Sequence, residues 1–276
     1  MRRNLLIVVF ALLILGGGWF VFFTKEKTKN TEPRSNISDA RGEAAPSETP
    51  FSSEETMTAN YPDENLSTKA TFPKLILAHH PTEEARANDV LRSVAMREIE
   101  NFRTEIKSDK SDIASPQGGG NDITIGFETL LLSPTLVSFR YNVSTYAEGA
   151  PHPNSYAIVL NYNIPKHVVL TGADLFRGDA NWLGFLASTT ATKLIASCDD
   201  CDEFGRDMIK TGTAPTKENF ARVGVKEGGL VVIFNPYQVA PYARGSQDVF
   251  IPFTEIADIL HPDIRIFLEQ KGSDEI

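Results

Sequence analysis

Tyr146-Ala147-Glu148-Gly149-Ala150-Pro151-His152-Pro153-Asn154 stands between two runs of strand character, residues 136–147 and 156–164. In the first run Val137, Phe139, Tyr141, Val143 and Thr145 alternate with polar residues, the period of a strand with one buried face. Between the runs, Gly149 admits positive φ, while Pro151 and Pro153 fix φ at about −65°. Each proline also pushes its predecessor, Ala150 or His152, into an extended conformation. The stretch predicts an antiparallel hairpin whose stiff tip presents His152.

Working toward the C-terminus, Pro165-Lys166 breaks the second strand and residues 167–170 resume it. Residues 179–197 predict a helix with Trp182, Leu183, Leu186, Thr190 and Leu194 on one side. A strand pair over 219–225 and 230–234 turns at Lys226-Glu227-Gly228-Gly229. The segment 235–245, Asn-Pro-Tyr-Gln-Val-Ala-Pro-Tyr-Ala-Arg-Gly, follows, then a short strand at 249–251 and a helix from 253 that Pro262 interrupts. Working toward the N-terminus, 122–132 reads as a strand and 108–121, with its three glycines, as a loop. Leu91, Ala95, Ile99, Phe102 and Ile106 form one apolar stripe of a long helix that starts at Pro81-Thr82-Glu83-Glu84, with Thr82 as the N-cap oxygen and acids in the first turn, and ends near Lys107. Residues 72–78 predict a first strand. Strands and helices segregate, which predicts an α+β fold: a mainly antiparallel sheet, a long N-terminal helix with a second helix packed on it, and one transmembrane helix ahead of them.

That membrane segment is residues 5–23, an almost unbroken apolar run. At ~1.5 Å per residue it crosses a hydrocarbon core of about 30 Å. Arg2 and Arg3 precede it, Trp19 and phenylalanines sit toward its far end, and no small-x-small cleavage site or lipidation cysteine follows. An uncleaved signal anchor is expected, with residues 1–4 as a cytoplasmic stub and the C-terminal part outside the cytoplasm, in the periplasm or at the cell surface. Residues 24–69, rich in Glu, Ser, Thr, Pro and Asn, read as a disordered linker. One α+β domain is expected over 70–276, divided into 70–120 and 121–276. Of 27 basic and 36 acidic residues, five basic and one acidic lie within the first 30, leaving 22 against 35 beyond them. A body this acidic repels nucleic acid and accepts a cationic partner.

The only cysteines, Cys198 and Cys201, are expected to close a local structural disulfide outside the cytoplasm. A redox pair is opposed by Asp199, Asp200 and Asp202, and half a zinc site lacks a second Cys-x-x-Cys. His79 and His80, ahead of Glu83 and Glu84, read as exposed turn residues rather than metal ligands. The chain has no His-Glu-x-x-His, Gly-x-Ser-x-Gly or phosphate-binding glycine loop, so no metal or cofactor is expected. Tyr146, Gly149, Pro151, His152 and Asn154, with Pro236, Tyr237, Pro241 and Tyr242, form the expected binding set. The catalytic alternative is His152 as acid/base, with Glu148 setting its tautomer.

Tyr146-x-x-Gly-Ala-Pro-His-Pro-Asn154, Asn161-Tyr162-Asn163, Asp174-Leu175-Phe176, Asn219-Phe220 and Phe234-x-Pro-Tyr-x-Val-Ala-Pro-Tyr-Ala-x-Gly245 occur in that order. This series resembles the RsiV/PdaC-type extracytoplasmic domain, found in a lysozyme-sensing anti-sigma factor and beside a peptidoglycan deacetylase catalytic domain. Residues 72–106 are similar to its companion domain, so the resemblance covers about 70–262. It implies an envelope-facing α+β domain that recognises a lysozyme-like protein or peptidoglycan, with a cell-wall glycan hydrolase or accessory enzyme as the alternative. Pro165-Lys166-His167 departs from the Asp- and Gly-containing turn of the family. Four residues ahead of the membrane segment leave no sigma-factor-binding segment, and no deacetylase metal motif is present, so neither of those activities is carried over.

Overall fold

The computed structural model describes residues 50–109, 120–198 and 201–269. Its elements are β1 (Phe51–Tyr61), β2 (Leu66–Ile76), α1 (Pro81–Asp109), β3 (Asn121–Leu132), β4 (Leu136–Tyr146), β5 (Asn154–Asn163) and β6 (Val168–Leu170). They continue with α2 (Trp182–Ala196), α3 (Glu203–Gly212), β7 (Val223–Lys226), β8 (Gly229–Phe234), β9 (Gln247–Pro252), α4 (Phe253–Ile256) and α5 (Pro262–Glu269). Strands β1 to β6 form one sheet in sequence order, antiparallel except between β2 and β3. That parallel pair needs a crossover, and α1 supplies it. Strands β7, β8 and β9 form a second, antiparallel sheet.

The long helix α1 covers one face of the large sheet. Its stripe of Ala87, Leu91, Val94, Ala95, Ile99, Phe102 and Ile106 joins Ile123, Ile125, Val137, Phe139, Tyr141 and Val143 in one core. Apolar burial drives the contact, and the phenol of Tyr141 within it is satisfied by donating to the Leu91 carbonyl at 2.8 Å. Glu64 anchors the far end of α1. Arg103 grips its carboxylate in a fork (2.7 and 2.8 Å) and lies 4.0 Å over the Tyr61 ring, while Lys107 adds an ion pair at 3.1 Å.

A β-bulge between Thr129 and Leu131 shifts the register of β3, sending Leu131 to the opposite face from Leu132. On that opposite face the small sheet packs through Val231 and Ile233 against Leu130 and Ala157. Asn161, 2% exposed, rivets the two sheets together. It donates to the Val223 carbonyl (2.8 Å) and accepts from Ser138 (2.7 Å) and the Val225 N–H (3.2 Å). The far side of the small sheet builds a separate core with Leu175, Phe176, Leu186, Phe220, Phe253 and Leu260.

Four expectations change. The second helix was expected on the first, but the buried Leu186, Thr190 and Leu194 of α2 turn toward the small sheet, and the leucines belong to its core. Within the linker expected at 24–69, residues 51–61 are β1, paired with β2 over its whole length. Of this edge strand only Met57 and Tyr61 are packed against the core, so backbone hydrogen bonds largely carry it and its polar sequence hides it. The strand expected at 72–78 is β2, which starts at Leu66, and the boundary expected at 120/121 falls inside a single sheet. Helix α1 begins at Pro81, so Thr82 is inside it and not at its N-cap, and Glu84 ties the preceding turn to the helix by accepting from the Leu77 N–H at 2.8 Å. The membrane span expected at 5–23 lies outside the described residues, among which no helix is long and apolar enough to cross a membrane.

Candidate functional site

The β4–β5 connection opens with a turn in which the Ala150 N–H donates to the Ala147 carbonyl (2.9 Å) and Gly149 takes φ 86°. That position requires a residue free of the Cβ penalty, which is why glycine stands there. Beyond it Pro151, His152, Pro153 and Asn154 are all exposed. The segment after β8 forms a second turn, with the Gln238 N–H donating to the Asn235 carbonyl at 3.0 Å. Pro236 and Tyr237 are its central residues, and Tyr237 takes φ 68° and is 60% exposed. This is the glycine position of a proline-led turn, occupied here by a tyrosine.

Partly buried polar contacts hold the strained turn in place. Gln238 donates to the carbonyls of Gly212 (3.1 Å) and Asn219 (3.0 Å) and accepts from Arg222 at 2.5 Å. Arg222 also donates to the Ile233 carbonyl, and its burial lowers its pKa. Asn235 accepts from the Ala157 N–H of β5 at 2.9 Å, tying the turn to the large sheet.

The two expected segments meet. The His152 and Tyr242 rings stack with centroids 4.5 Å apart, and Tyr237 stands 5.3 Å from Tyr242. Tyr242 donates to the Pro153 carbonyl at 2.7 Å, locking the two loops together. The result is an aromatic ledge, His152–Tyr242–Tyr237. Beside it runs a groove of about 600 Å³ whose wall includes Pro236, Tyr242 and Gly245. Its floor is the part of the large sheet that the small sheet leaves open, with Thr124, Asn142, Ser144 and Ser155. Arg140 lies at one side, donating to Asp248 (2.6 Å), Ser246 (2.8 Å) and Asn142 (2.8 Å). On the opposite, α1 face of the sheet Tyr156 donates to Glu98 at 2.9 Å, and burial, with Glu98 beside it, pushes its pKa up. The site can stack flat apolar faces on the ledge and hydrogen-bond hydroxyl or amide groups on the floor.

The expected acid–base pair is not assembled. Nδ1 of His152 lies 2.9 Å from the Pro153 carbonyl. Glu148 instead accepts from Asn65 (3.2 Å), and its N–H donates to Asn121 (2.8 Å), at the β1–β2 end of the sheet. Tyr146 ends β4 and Asn154 begins β5, and neither joins the ring stack; Pro241 immediately precedes the short turn of helix at Tyr242–Arg244. His79 is exposed at φ 65° and His80 lies 3.9 Å from Glu83. Among the described residues no three His, Cys, Asp or Glu side chains are grouped to hold a metal. Cys198 and Cys201 form a disulfide with Cα atoms 5.4 Å apart.

Sequence reasoning missed the floor. Ser138, Arg140, Asn142 and Ser144 are the polar half of the alternation in β4, which reads as a plain solvent face. Only the small sheet, covering part of that face, turns the remainder into a groove.

Comparison with known proteins follows the same division. The chain is 27% identical over 175 residues to the peptidoglycan-N-acetylmuramic acid deacetylase PdaC of Bacillus subtilis strain 168, covering 63% of this chain and 36% of that protein's length. A crystal structure of a DUF3298 family member from Bacteroides fragilis NCTC 9343 superposes with a TM-score of 0.58 at 17% identity, over 83% of this chain and 100% of that one. A DUF3298 family protein from Pseudomonas aeruginosa PAO1 gives 0.52 at 16% identity, over 81% and 97%. Both likenesses concern the fold. Residues 173–254, which include Tyr237 and Tyr242, match the family described as a protein of unknown function, DUF3298, and the chain thus carries a DUF3298 domain.

Proposed function

We propose that this is a cell-envelope binding module, anchored in the membrane by residues 5–23, that recognises peptidoglycan through the groove and its aromatic ledge. One observation carries the reading. Tyr237 occupies a glycine position at φ 68° and stands exposed, a conformation that costs about 1 kcal/mol and persists because Gln238 and Arg222 over-determine it. Packing does not repay that cost, since the ring is mostly in solvent; contact with a ligand does. Tyrosine ledges suit sugar rings, which present C–H faces for stacking and hydroxyls for the polar floor. The similarity to a peptidoglycan deacetylase supports a wall glycan as the ligand class. A lysozyme-like protein is the second ligand to test, since the acidic body suits a basic partner.

The test is co-sedimentation of the full chain with purified peptidoglycan, alongside titration with lysozyme in solution. The expected result is retention by peptidoglycan that Tyr237→Gly weakens while thermal stability is kept or raised. Failure to retain either ligand refutes the binding reading. Wall fragments altered by the wild-type chain but not by His152→Ala would replace it with an enzymatic one.

A further inference from the structure

We infer that the groove is one end of a longer platform, and that its ligand is an extended glycan strand laid across the large sheet, not a single sugar. The inference rests on the glycan reading above and adds the length and course of the ligand. Its base is one register row. Thr58 of β1 faces Lys69 of β2, and Lys69 faces Thr124 of β3. Thr124 faces Ser144 of β4, and Ser144 faces Ser155 of β5. Thr124, Ser144 and Ser155 belong to the groove floor, and beyond them the row continues to Lys69 and Thr58, both exposed. Four strand spacings of ~4.8 Å make the row about 19 Å long, room for about four sugar rings with one ring per spacing. Each of its side chains ends in a hydroxyl or an ammonium. The Thr124 hydroxyl donates to Asp122 at 3.3 Å, which leaves its lone pairs to accept from a ligand.

Gly126 points to a ligand independently. It stands inside β3 opposite Asn142, in register and clear of the bulge between Thr129 and Leu131, and it lines the groove. Glycine weakens a strand interior, and it marks a bulge or the close approach of another group. No positive φ calls for it, and a Cβ built there would meet nothing within 4 Å. Neither backbone conformation nor packing within the protein therefore accounts for the missing side chain, whereas a flat ring settling onto the sheet beside Asn142 does. A protein partner fits the row poorly, because it offers none of the aromatic or arginine anchors on which protein interfaces concentrate their energy. The acidic body repels a nucleic acid strand. A polyhydroxylated chain, able to donate and accept at every ring, matches the row.

The full chain is titrated by calorimetry with the N-acetylglucosamine dimer and hexamer, soluble β-linked probes, and circular dichroism follows the fold of each variant. The dimer fits within the groove, and the hexamer can reach along the row. The hexamer should bind the wild type about tenfold more tightly than the dimer, the gain of one or two net hydrogen bonds. Thr58→Glu combined with Lys69→Glu should remove most of that gain. Gly126→Val should melt at or above the wild-type temperature, since a β-branched residue suits a strand, and should weaken the hexamer. Gly126→Ala is the second variant where valine disturbs the fold. Equal affinity for dimer and hexamer, or a gain that survives Thr58→Glu with Lys69→Glu, overturns the platform and leaves the groove reading standing. Wild-type affinity of the folded Gly126 variants for the hexamer overturns it as well. Binding of neither oligomer refutes the groove reading and the platform with it.

Discussion

Strand β4 has two faces with the same alternation and opposite fates. Val137, Phe139, Tyr141 and Val143 lie under α1, buried to 2% exposure or less, in an apolar core where the Tyr141 phenol is satisfied by the Leu91 carbonyl. Ser138, Arg140, Asn142 and Ser144 point the other way, and their surroundings change along the strand. Ser138 is fully buried against Asn161, Arg140 is gathered by Asp248 and Ser246, and Asn142 is exposed on the groove floor. One face is therefore settled by a single helix, while the other is divided between an interface and a site. The difference teaches that polar alternation identifies a face without saying what will cover it.

The strongest way to break this comparison is on the helix side. Phe139→Ala should destabilise the fold by about 4 kcal/mol in urea unfolding. A loss below about 1 kcal/mol would mean that the front face is not a packed core. Next comes the rivet between the sheets. Asn161→Leu leaves the Val223 carbonyl, the Val225 N–H and the Ser138 hydroxyl without their partner, and should cost about 3 kcal/mol. If the substitution is neutral in urea unfolding, the back face is held by apolar contact alone.

An acid titration sharpens the front face further. Arg103, hydrogen-bonded to Glu64, with Lys107 adding to it, holds that carboxyl down at about 2. In the unfolded chain it titrates near its ordinary value of about 4.3. A depressed carboxyl contributes stability that is present above the unfolded value and lost as pH falls through the folded one. Melting temperature should therefore drop between about pH 4.5 and pH 2 by more in the wild type than in Glu64→Gln. Parallel curves would remove Glu64 from the linkage.

The groove side should respond least in stability and most in binding. Tyr237→Gly relieves a left-handed tyrosine and should raise stability by about 1 kcal/mol, and Asn142→Ala should stay within about 0.5 kcal/mol. Both should weaken retention on peptidoglycan, measured by the same co-sedimentation. Loss of stability in Tyr237→Gly would show that the ring is held for packing and not for a ligand.

Much of this was legible in the chain itself. The 2-residue period of β4, the turn at Gly149 and the stripe from Leu91 to Ile106 each report a local cause, and local causes survive folding. Helix α3 was not legible: two glycines and five charged or polar positions in Glu203–Gly212 mask it, and the one signal was Asp202, whose side chain caps the Gly205 N–H. Strand β1 was not legible either, since an edge strand rests on hydrogen bonds to β2, and polar side chains do not report those.

By itself the sequence determined the α+β character, the hairpin that presents His152 and the existence of two unusual proline-rich segments. Only the tertiary structure decided that those segments share one aromatic stack, that Glu148 faces away from His152, and that half of a polar strand face becomes a groove. The reason is separation along the chain. His152 and Tyr242 are 90 residues apart, and nothing in local periodicity encodes which surfaces remain once two sheets have packed face to face.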